Sequence, residues 1–441
     1  MRLHWRRLLL LAATHVGAVW ILYMLLWGPR AQTVRAAVVV GLNGLGMYPC
    51  AFLKQPMLFE HGDRHYYVVW ETTCMSNTPL LEWWDDSDDT APVHHYAEPL
   101  HRAIDSRHHR YTAIIGPVAI PSQMHYRVRN YRFSTAAHTI TRRARGGQTS
   151  VLVMADNQNN PTEFRKVLAG IRGRFNAPGG PDIILHVGDA VQNVRELGDW
   201  QEQLFSPLED GGGLHHHSPI IFVPGNHDHD GRRTPGNRNL YTDMYHGLRT
   251  TDDLSSEAVV NGSYHRFFHS VSVGSSRIIV LDAECPSPEQ LEFLTRELQS
   301  DLFQSARFRI VAVHIPPYME FWDPYTWNEK GEKHWGEHIR LEYDPLFRRH
   351  GVDLVISGHQ HNYQRSTIHR SDAAASDNLI TYAIVGGAGG DLDLKRVEDW
   401  HMYNKTYLDH HFVSLDIGEH HLRWAAFSAT GRIIDRFDIR R

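Results

Sequence analysis

The sequence predicts a small β-sandwich followed by an α/β domain, with an apolar segment in front of both. Residues 55–146 consist of short aromatic and β-branched runs separated by polar breaks, a pattern typical of strands and turns. After residue 148, apolar runs alternate with segments of helical periodicity, which is typical of an α/β domain. Several of these later runs end in residues that can bind a metal ion.

The composition is that of an ordinary folded chain, since 42% of the 441 residues are hydrophobic and 22% are charged. Disordered and collagen-like classes are therefore excluded. The formal net charge of -5 predicts no fixed basic patch for nucleic acid, although protonation of all 32 histidines would raise the charge to 32 - 5 = +27. The three cysteines allow at most one internal disulfide, for which Cys50 and Cys74 are the nearest pair.

The N-terminal segment is apolar over 20 residues, from Leu8 to Trp27, and three arginines precede it. This length matches the hydrocarbon core of a bilayer and exceeds the usual apolar region of a secretory signal. We therefore predict that residues 1–35 form a cytosolic tip and a signal anchor, with a cleaved signal peptide as the alternative. Residues 36–54 are apolar but interrupted by glycine and proline, and we interpret them as a juxtamembrane linker, with a second span as the alternative.

The anchor predicts a single-pass type II membrane protein whose body is lumenal or extracellular, and a cleaved signal would make the protein secreted. Two glycosylation sequons, at Asn261 and Asn404, agree with either location.

The strands of the predicted sandwich include "YYVVWET", "LLEWW", "RYTAIIG" and "MHYRVRNYRF". None of them has catalytic spacing, and their aromatic residues are more typical of a core than of a binding surface. In the α/β part, Leu291, Leu294 and Leu298 recur at helical spacing, which predicts a helix from Pro288 to Gln299.

Five apolar runs in the α/β part end in residues of the types that bind metals. Because the carboxyl ends of strands in such sheets gather at one edge, we expect these residues to share one site. Gly188, Gly225 and Gly358 adjoin them, as expected where the backbone approaches an ion closely. The residues at the five ends are Asp156 and Gln158; Asp189; Asn226 and His227; His314; and His359 and His361.

The chain is rich in histidine, and a single histidine more often has a structural role than a metal-binding one. We therefore assign no metal role to His215, His216, His217 or His229.

The segments "ADNQ", "GDAVQN", "GNHD", "VAVH" and "GHQHNYQRS" resemble, in order and spacing, the five motifs of calcineurin-like metallophosphoesterases, and those of purple acid phosphatases most of all. The resemblance covers nearly all of the chain after the N-terminal segments. It implies a fibronectin type III-like β-sandwich at residues 55–146, followed at residues 148–441 by a metallophosphoesterase domain of two packed β-sheets flanked by helices.

The resemblance also implies a site with two divalent metal ions, of Mn, Fe or Zn. Asp189 would bridge the two ions. His227 would contact the phosphoryl group or protonate the leaving group, and Tyr363 would line the substrate pocket. The ligands of the first ion would be Asp156, Gln158, Asp189 and His361, and those of the second Asp189, Asn226, His314 and His359. Carboxylate, imidazole and amide oxygen suit these metals.

Two positions depart from the family pattern. Gln192 stands where purple acid phosphatases carry tyrosine and calcineurin-type enzymes carry aspartate, so we expect no purple colour and no carboxylate beside His227. Gln158 stands where many members of the family carry histidine.

The resemblance implies a hydrolase that cleaves phosphate monoesters with a metal-bound hydroxide. Its substrate would be a phosphorylated small molecule or a phosphoprotein, and its other partner the membrane through the N-terminal helix, with no nucleic acid. Two alternatives remain: a phosphodiesterase or nucleotide pyrophosphatase with the same site, and a catalytically weak membrane-anchored binding protein.

Overall fold

The computed structural model describes residues 51–441 except 61–64, 77, 86–91, 119–121, 131–132, 143–146, 176–179, 230–258, 261–262, 265–267, 285–286, 323–334 and 370–378. The predicted signal anchor at residues 8–27 lies outside the described residues, as do most of the predicted linker and the sequon at Asn261. Within the described ranges, no helix is both long and apolar enough to span a membrane.

The described part of the chain contains 24 strands, numbered in chain order. They are β1 Phe52–Glu60, β2 Tyr66–Thr72, β3 Pro79–Asp85, β4 His94–Ala97, β5 Leu100–Ala103, β6 His109–Ile115, β7 Ser122–Asn130, β8 Phe133–Ser134, β9 His138–Arg142, β10 Thr149–Met154, β11 Ile183–His186, β12 Ile220–Phe222, β13 Val259–Val260, β14 Ser263–Tyr264, β15 His269–Val273, β16 Ser276–Leu281, β17 Phe308–Val313, β18 Leu354–Ser357, β19 Tyr363–His369, β20 Leu379–Val385, β21 Tyr403–Tyr407, β22 His411–Ile417, β23 His421–Ser428 and β24 Ile433–Arg440.

The two longest helices begin with side-chain caps that the sequence provides. Asn160 accepts a hydrogen bond from the Glu163 N–H and Ser287 accepts one from the Gln290 N–H, and in each case proline occupies the first helical position. The predicted helix from Pro288 to Gln299 is confirmed. The helical segments are Pro161–Arg174, Leu197–Asp199, Trp200–Phe205, Ser206–Asp210, Leu214–His216, Asn226–Asp228, Pro288–Gln299, Asp301–Ser305, Trp335–His338, Ile339–Tyr343 and Asp344–His350.

Two large sheets form the centre of the molecule. A ten-stranded sheet has the order β24-β23-β22-β10-β11-β12-β1-β2-β6-β5, and a seven-stranded sheet has the order β15-β16-β17-β18-β20-β19-β21. Strands β10, β11 and β12 are parallel to one another, as are β16, β17, β18 and β20 in the other sheet.

The two sheets pack face to face, and helices cover their outer faces. Alternate residues of β10 show the layers, because side chains of a strand point to opposite sides. Val151 and Val153 lie in the apolar core shared with the seven-stranded sheet, whereas Leu152 and Met154 pack beneath helix Pro161–Arg174. A third core lies between the seven-stranded sheet and the helices after residue 287. The predicted arrangement of two packed sheets flanked by helices is confirmed.

The N-terminal strands form two layers that share an apolar core containing Trp70, Tyr111 and Tyr126. One layer, with β3, β4, β7, β8 and β9, is a separate sheet. The other layer is part of the ten-stranded sheet, because β1 pairs in parallel with β12 through Phe59 and Ile220. The fibronectin type III identity of this region and the predicted domain boundaries stay predictions.

Candidate metal centre

The residues at the five predicted strand ends come together at one edge of the packed sheets. Strands β10, β11 and β12 of one sheet and β17 and β18 of the other lead into them. Parallel pairing places the carboxyl ends of neighbouring strands side by side, and the packing of the sheets brings the two sets of ends into contact.

The first group of side chains surrounds Asp156. The Oδ1 atom of Asp156 lies 3.5 Å from Nε2 of His361. The amide nitrogen of Gln158 lies 3.2 Å from Nε2 of His361 and 3.2 Å from Oδ2 of Asp189. This group therefore offers a carboxylate, an imidazole and an amide around a common point.

The second group surrounds Asp189, whose Oδ2 lies 3.2 Å from Nε2 of His314. The Oδ1 atom of Asn226 lies 3.1 Å from the same Nε2 and 2.9 Å from Nδ1 of His359. Ligand atoms of Asp189, His314 and His359 all lie within 4.8 Å of one another. Since Oδ2 of Asp189 contacts members of both groups, this carboxylate lies between them.

Backbone carbonyls orient two of the imidazoles. Nδ1 of His314 lies 2.7 Å from the Val187 oxygen, and Nδ1 of His361 lies 2.5 Å from the Asp391 oxygen. A carbonyl only accepts hydrogen bonds, so each Nδ1 carries the proton and each Nε2 faces the carboxylates. Second partners of this kind fix the tautomer of metal-binding histidines.

The electric field of the pocket favours cations. Burial lowers the pKa of His314, but the carboxylates of Asp189 and Asp156 outweigh burial and raise that pKa to about 10. Burial also lowers the pKa of His361, but a hydrogen bond to Asp156 and the negative charge of Asp156 outweigh burial and raise that pKa to about 9. A proton on either Nε2 and a metal ion use the same lone pair, so the residues fit a bound cation.

An amide oxygen in the first group also fits a metal ion. Oε1 of Gln158 is buried and has no hydrogen-bond partner among the residues that the structure describes. Turning the amide over would point this oxygen at Asp189 and His361, where the nitrogen now lies.

Two glycines allow the strand ends to approach this closely, as the sequence predicts. A Cβ atom on Gly225 would lie 2.2 Å from Oδ1 of Asp189. Gly188 has φ +94°, and a Cβ there would lie 2.4 Å from Nδ1 of His314. Any side chain at these positions would displace a candidate ligand.

Three of the candidate ligands have left-handed backbone conformations. Their φ angles are +60° for Asp156, +54° for Asp189 and +68° for His359. Such conformations are unfavourable for residues other than glycine and cluster at functional sites. The backbone strain therefore coincides with the residues that the sequence predicts as ligands.

Residues 149–363 match the family model described as calcineurin-like phosphoesterase. Over these residues the chain is similar to that family. All seven candidate ligands lie within the matched segment.

Several purple acid phosphatases are similar in sequence to parts of this chain. Purple acid phosphatase 1 of Ipomoea batatas is 29% identical over 156 residues, which cover 34% of this chain and 29% of that protein. The Fe(3+)-Zn(2+) purple acid phosphatase 12 of Arabidopsis thaliana is 28% identical over 155 residues, or 34% of this chain and 30% of that protein. A probable inactive purple acid phosphatase 24 of the same plant is 24% identical over 281 residues, or 59% of this chain and 43% of that protein. The chain thus spans less than half of each of these relatives.

Two solved structures share the fold. Purple acid phosphatase PPD1 from yellow lupin (Lupinus luteus) superposes with a TM-score of 0.67 at 18% identity, covering 88% of this chain and 74% of that one. The structure of PhoD superposes with a TM-score of 0.59 at 10% identity and covers 88% of both chains.

In the phosphoesterase domain, His227 lies beside the second group. Its backbone N–H donates to Oδ1 of Asp189 at 2.8 Å, and its Nδ1 lies 2.8 Å from the backbone oxygen of Gln192. The side chain of Gln192 is exposed. Thus Gln192 supplies a main-chain carbonyl to His227.

The prediction that Tyr363 lines the substrate pocket is wrong. Tyr363 is 1% exposed and belongs to the core between the two sheets. Its hydroxyl donates to Asp435 at 2.8 Å and accepts from the Trp424 indole N–H at 3.0 Å. As the first residue of β19 it follows His361 by two positions, but its ring is directed into the core.

Asp228 lies at the site and was not singled out by the sequence analysis, although it completes the "GNHD" motif. Its buried carboxylate accepts hydrogen bonds from the backbone N–H groups of Asp189 at 2.8 Å, Ala190 at 3.1 Å and Gly225 at 2.8 Å. Burial and the charge of Asp189 raise the pKa of Asp228 to about 6. Asp228 therefore holds together the two loops that carry Asp189 and Asn226.

Two further residues near the site were also missed. The Asp393 carboxylate accepts a hydrogen bond from the His361 backbone N–H at 2.8 Å. The ring of Trp322, which is 37% exposed, lies edge-on to the His359 ring with 4.3 Å between centroids. Neither residue has a recognisable spacing to the ligand motifs, so no sequence signal was available.

We predict that Asp228→Asn weakens metal binding by about 10- to 100-fold, the usual effect of losing a residue that positions ligands. The new amide group would face backbone N–H groups with a donor where they require an acceptor. Metal titration followed by elemental analysis measures the effect. Asp438→Asn, on an exposed part of β24, is the control. Unchanged affinity in Asp228→Asn would show that Asp228 does not hold the two loops.

Proposed function

We propose that this chain is a metal-dependent phosphoesterase that hydrolyses phosphate monoesters at a dinuclear centre. The observation that carries the proposal is the position of Asp189, whose Oδ2 lies 3.2 Å from both Gln158 of the first group and His314 of the second. A carboxylate between two sets of ligands is suited to bridge two ions. The match of residues 149–363 to the calcineurin-like phosphoesterase model supports the reaction class.

Each ion would have its own set of ligands in addition to Asp189. Asp156, Gln158 and His361 would complete the first set, and Asn226, His314 and His359 the second. Mixed carboxylate, imidazole and amide donors suit Mn, Fe or Zn. An Arabidopsis relative is named as an Fe(3+)-Zn(2+) enzyme, but Gln192 stands where the purple enzymes carry tyrosine, so we expect divalent ions here.

A pair of divalent ions at such a site polarises a phosphoryl oxygen and lowers the pKa of a bound water. Two ions of charge +2 and the two carboxylates of Asp156 and Asp189 leave a formal charge of +2. The candidate centre would therefore attract a phosphate anion.

His227 would act on the substrate. Its Nδ1–H is held by the Gln192 carbonyl, so the ring has a fixed orientation and Nε2 remains for exchange of a proton. The backbone bond to Asp189 holds this residue next to the bridging carboxylate. When Nε2 also carries a proton, it would donate to a phosphoryl oxygen or to the leaving oxygen, as a general acid does, and the ring would then be neutral with Nδ1–H still bound to the Gln192 carbonyl.

One observation favours a second candidate, a catalytically weak binding protein. The relative that aligns over 59% of this chain is named a probable inactive purple acid phosphatase. An assay of phosphatase turnover together with metal content distinguishes the two candidates, since a binding protein would hold metal without turnover. A phosphodiesterase or pyrophosphatase would instead prefer diester or pyrophosphate substrates.

We predict that Asp189→Asn loses at least one metal ion per chain and nearly all turnover, because it alters the only candidate ligand shared by the two groups. The full-length chain is assayed with aryl phosphate monoesters and diesters in Mn, Fe(II) and Zn, with elemental analysis alongside. Asp438→Asn should behave as wild type. Two metals per chain and wild-type turnover in Asp189→Asn would mean that the site is wrongly assigned.

We further predict that Gln158→His tightens the first site and shifts its preference towards Zn. Imidazole nitrogen donates more strongly than an amide oxygen, which favours Mn or Fe(II). The first ion of the wild type should therefore be the more weakly bound one. Titrations of metal-free wild type and Gln158→His with Mn and Zn measure this, and identical affinities of the two proteins for both metals would mean that Gln158 is not a ligand.

We also propose that the catalytic body lies in the lumen or outside the cell, held by an uncleaved anchor. Cys74 is disulfide-bonded, and structural disulfides persist mainly in oxidising compartments. The sequon at Asn404 lies on an exposed part of β21, where a glycan can be attached.

N-terminal sequencing of the full-length chain from a eukaryotic host should find a start at or near Met1. A glycosidase should increase its gel mobility, and Asn404→Gln should reduce that shift. A mature chain that starts beyond Trp27 would replace the anchor with a cleaved signal.

A further inference from the structure

A second cluster of metal-binding side chains lies outside the candidate metal centre. The helix Ser206–Asp210 and the following turn place Glu209 beside two consecutive histidines. Nε2 of His215 lies 3.1 Å from Oε1 of Glu209, and Nε2 of His216 lies 3.2 Å from Oε2. Ligand atoms of all three residues lie within 4.8 Å of one another.

The tautomer of His216 directs a lone pair of the neutral ring towards Glu209. Nδ1 of His216 lies 2.7 Å from the backbone oxygen of Pro56, which can only accept, so Nδ1 carries the proton. In the neutral ring the lone pair of Nε2 then faces a carboxylate oxygen of Glu209. Two acceptors at this distance repel each other unless a proton or a metal ion lies between them.

The other two side chains are in the protonation states that metal binding requires. Burial lowers the pKa of His215 to about 4, so this ring is neutral at neutral pH. Burial raises the pKa of Glu209, but without a metal ion hydrogen bonds from Nε2–H of His215 and His216 outweigh burial and hold that pKa below its ordinary value. A neutral imidazole and an ionised carboxylate therefore face the same point.

The distances match the spacing of ligands around one small ion. Ligands about 2.0–2.1 Å from a tetrahedral zinc ion lie about 3.3 Å from one another, close to the separations of 3.1 and 3.2 Å seen here. Two imidazoles exclude Ca²⁺ and Mg²⁺, which prefer oxygen ligands. The side chain of Glu209 is 37% exposed, so water can reach the cluster.

We propose that Glu209, His215 and His216 bind a single Zn²⁺ ion, with water as the fourth ligand, at a site separate from the dinuclear centre. The ion would fasten the turn at residues 214–217 to the N-terminal strands. His216 bonds to Pro56 of β1, Tyr126 of β7 donates to the His216 oxygen at 2.8 Å, and the ring of His138 in β9 stacks on His216 with 4.4 Å between centroids.

The test compares the zinc content of three full-length proteins: wild type, Glu209→Gln and Glu202→Gln. Glu202 is an exposed carboxylate seven residues before Glu209 on the same helical stretch, which makes it the matched control. We expect Glu209→Gln to bind one zinc fewer than wild type, and Zn²⁺ to raise the Tm of this variant less. Glu202→Gln should equal wild type. His215→Phe, which keeps a ring but removes Nε2, should match Glu209→Gln.

None of these positions belongs to the candidate metal centre, so all the variants should keep a cooperative thermal transition, and the Tm measurement itself reports that they are folded. The readout is a difference in zinc content, so it does not depend on whether the proposed activity is found. Crystals of the wild type grown with Zn²⁺ add a measurement without substitution, since anomalous scattering should show a peak between Glu209 and the two imidazoles. Equal zinc content in all the proteins, or no such peak, would mean that a proton occupies Nε2 of His216.

Discussion

Two buried carboxylates impose the constraint on which the candidate centre depends. Asp156 and Asp189 are at most 1% exposed, and charge withdrawn from water requires compensation. Backbone N–H groups of His359 and His227 supply part of it. Without a metal, protons on neighbouring imidazoles supply more, which explains their raised pKa values. Divalent ions compensate the same charge and use the same lone pairs, so the chemistry of metal binding follows from the cost of burial.

The fold places the compensating groups around the two carboxylates by bringing strand ends from two sheets together at one edge. Each sheet contributes parallel strands whose carboxyl ends point to one edge, and the apolar core between the sheets fixes their separation. The backbone at Asp156, Asp189 and His359 is left-handed, which turns the chain sharply after each strand. Packing of the layers offsets the cost of these conformations. The positions of the candidate ligands therefore depend on the packing of the ten-stranded sheet against the seven-stranded sheet.

The local pattern of the sequence was sufficient for the elements and for most of the site. Leucine spacing located the helix Pro288–Gln299, and the polar residues after five apolar runs identified side chains that the structure brings together. Tyr363 was misplaced because closeness in sequence to His361 does not determine which side of a strand a ring faces. Asp228 and Trp322 were not identified, because their contacts with the site form only after folding. The pairing of β1 with β12 links residues 161 positions apart, which no local pattern encodes.

That pairing also bears on how separable the two halves of the molecule are. Strand β12 leads directly to Asn226, and β1 covers its outer edge through Phe59 and Ile220. A fragment that began after residue 146 would expose β12 as a free edge, and unpaired edges invite association with other chains. The N-terminal strands therefore cover the edge of the sheet that carries part of the candidate metal centre. If this region were replaced by an unrelated module, β12 would stay covered only if the new module supplied a strand parallel to β12 in the position of β1.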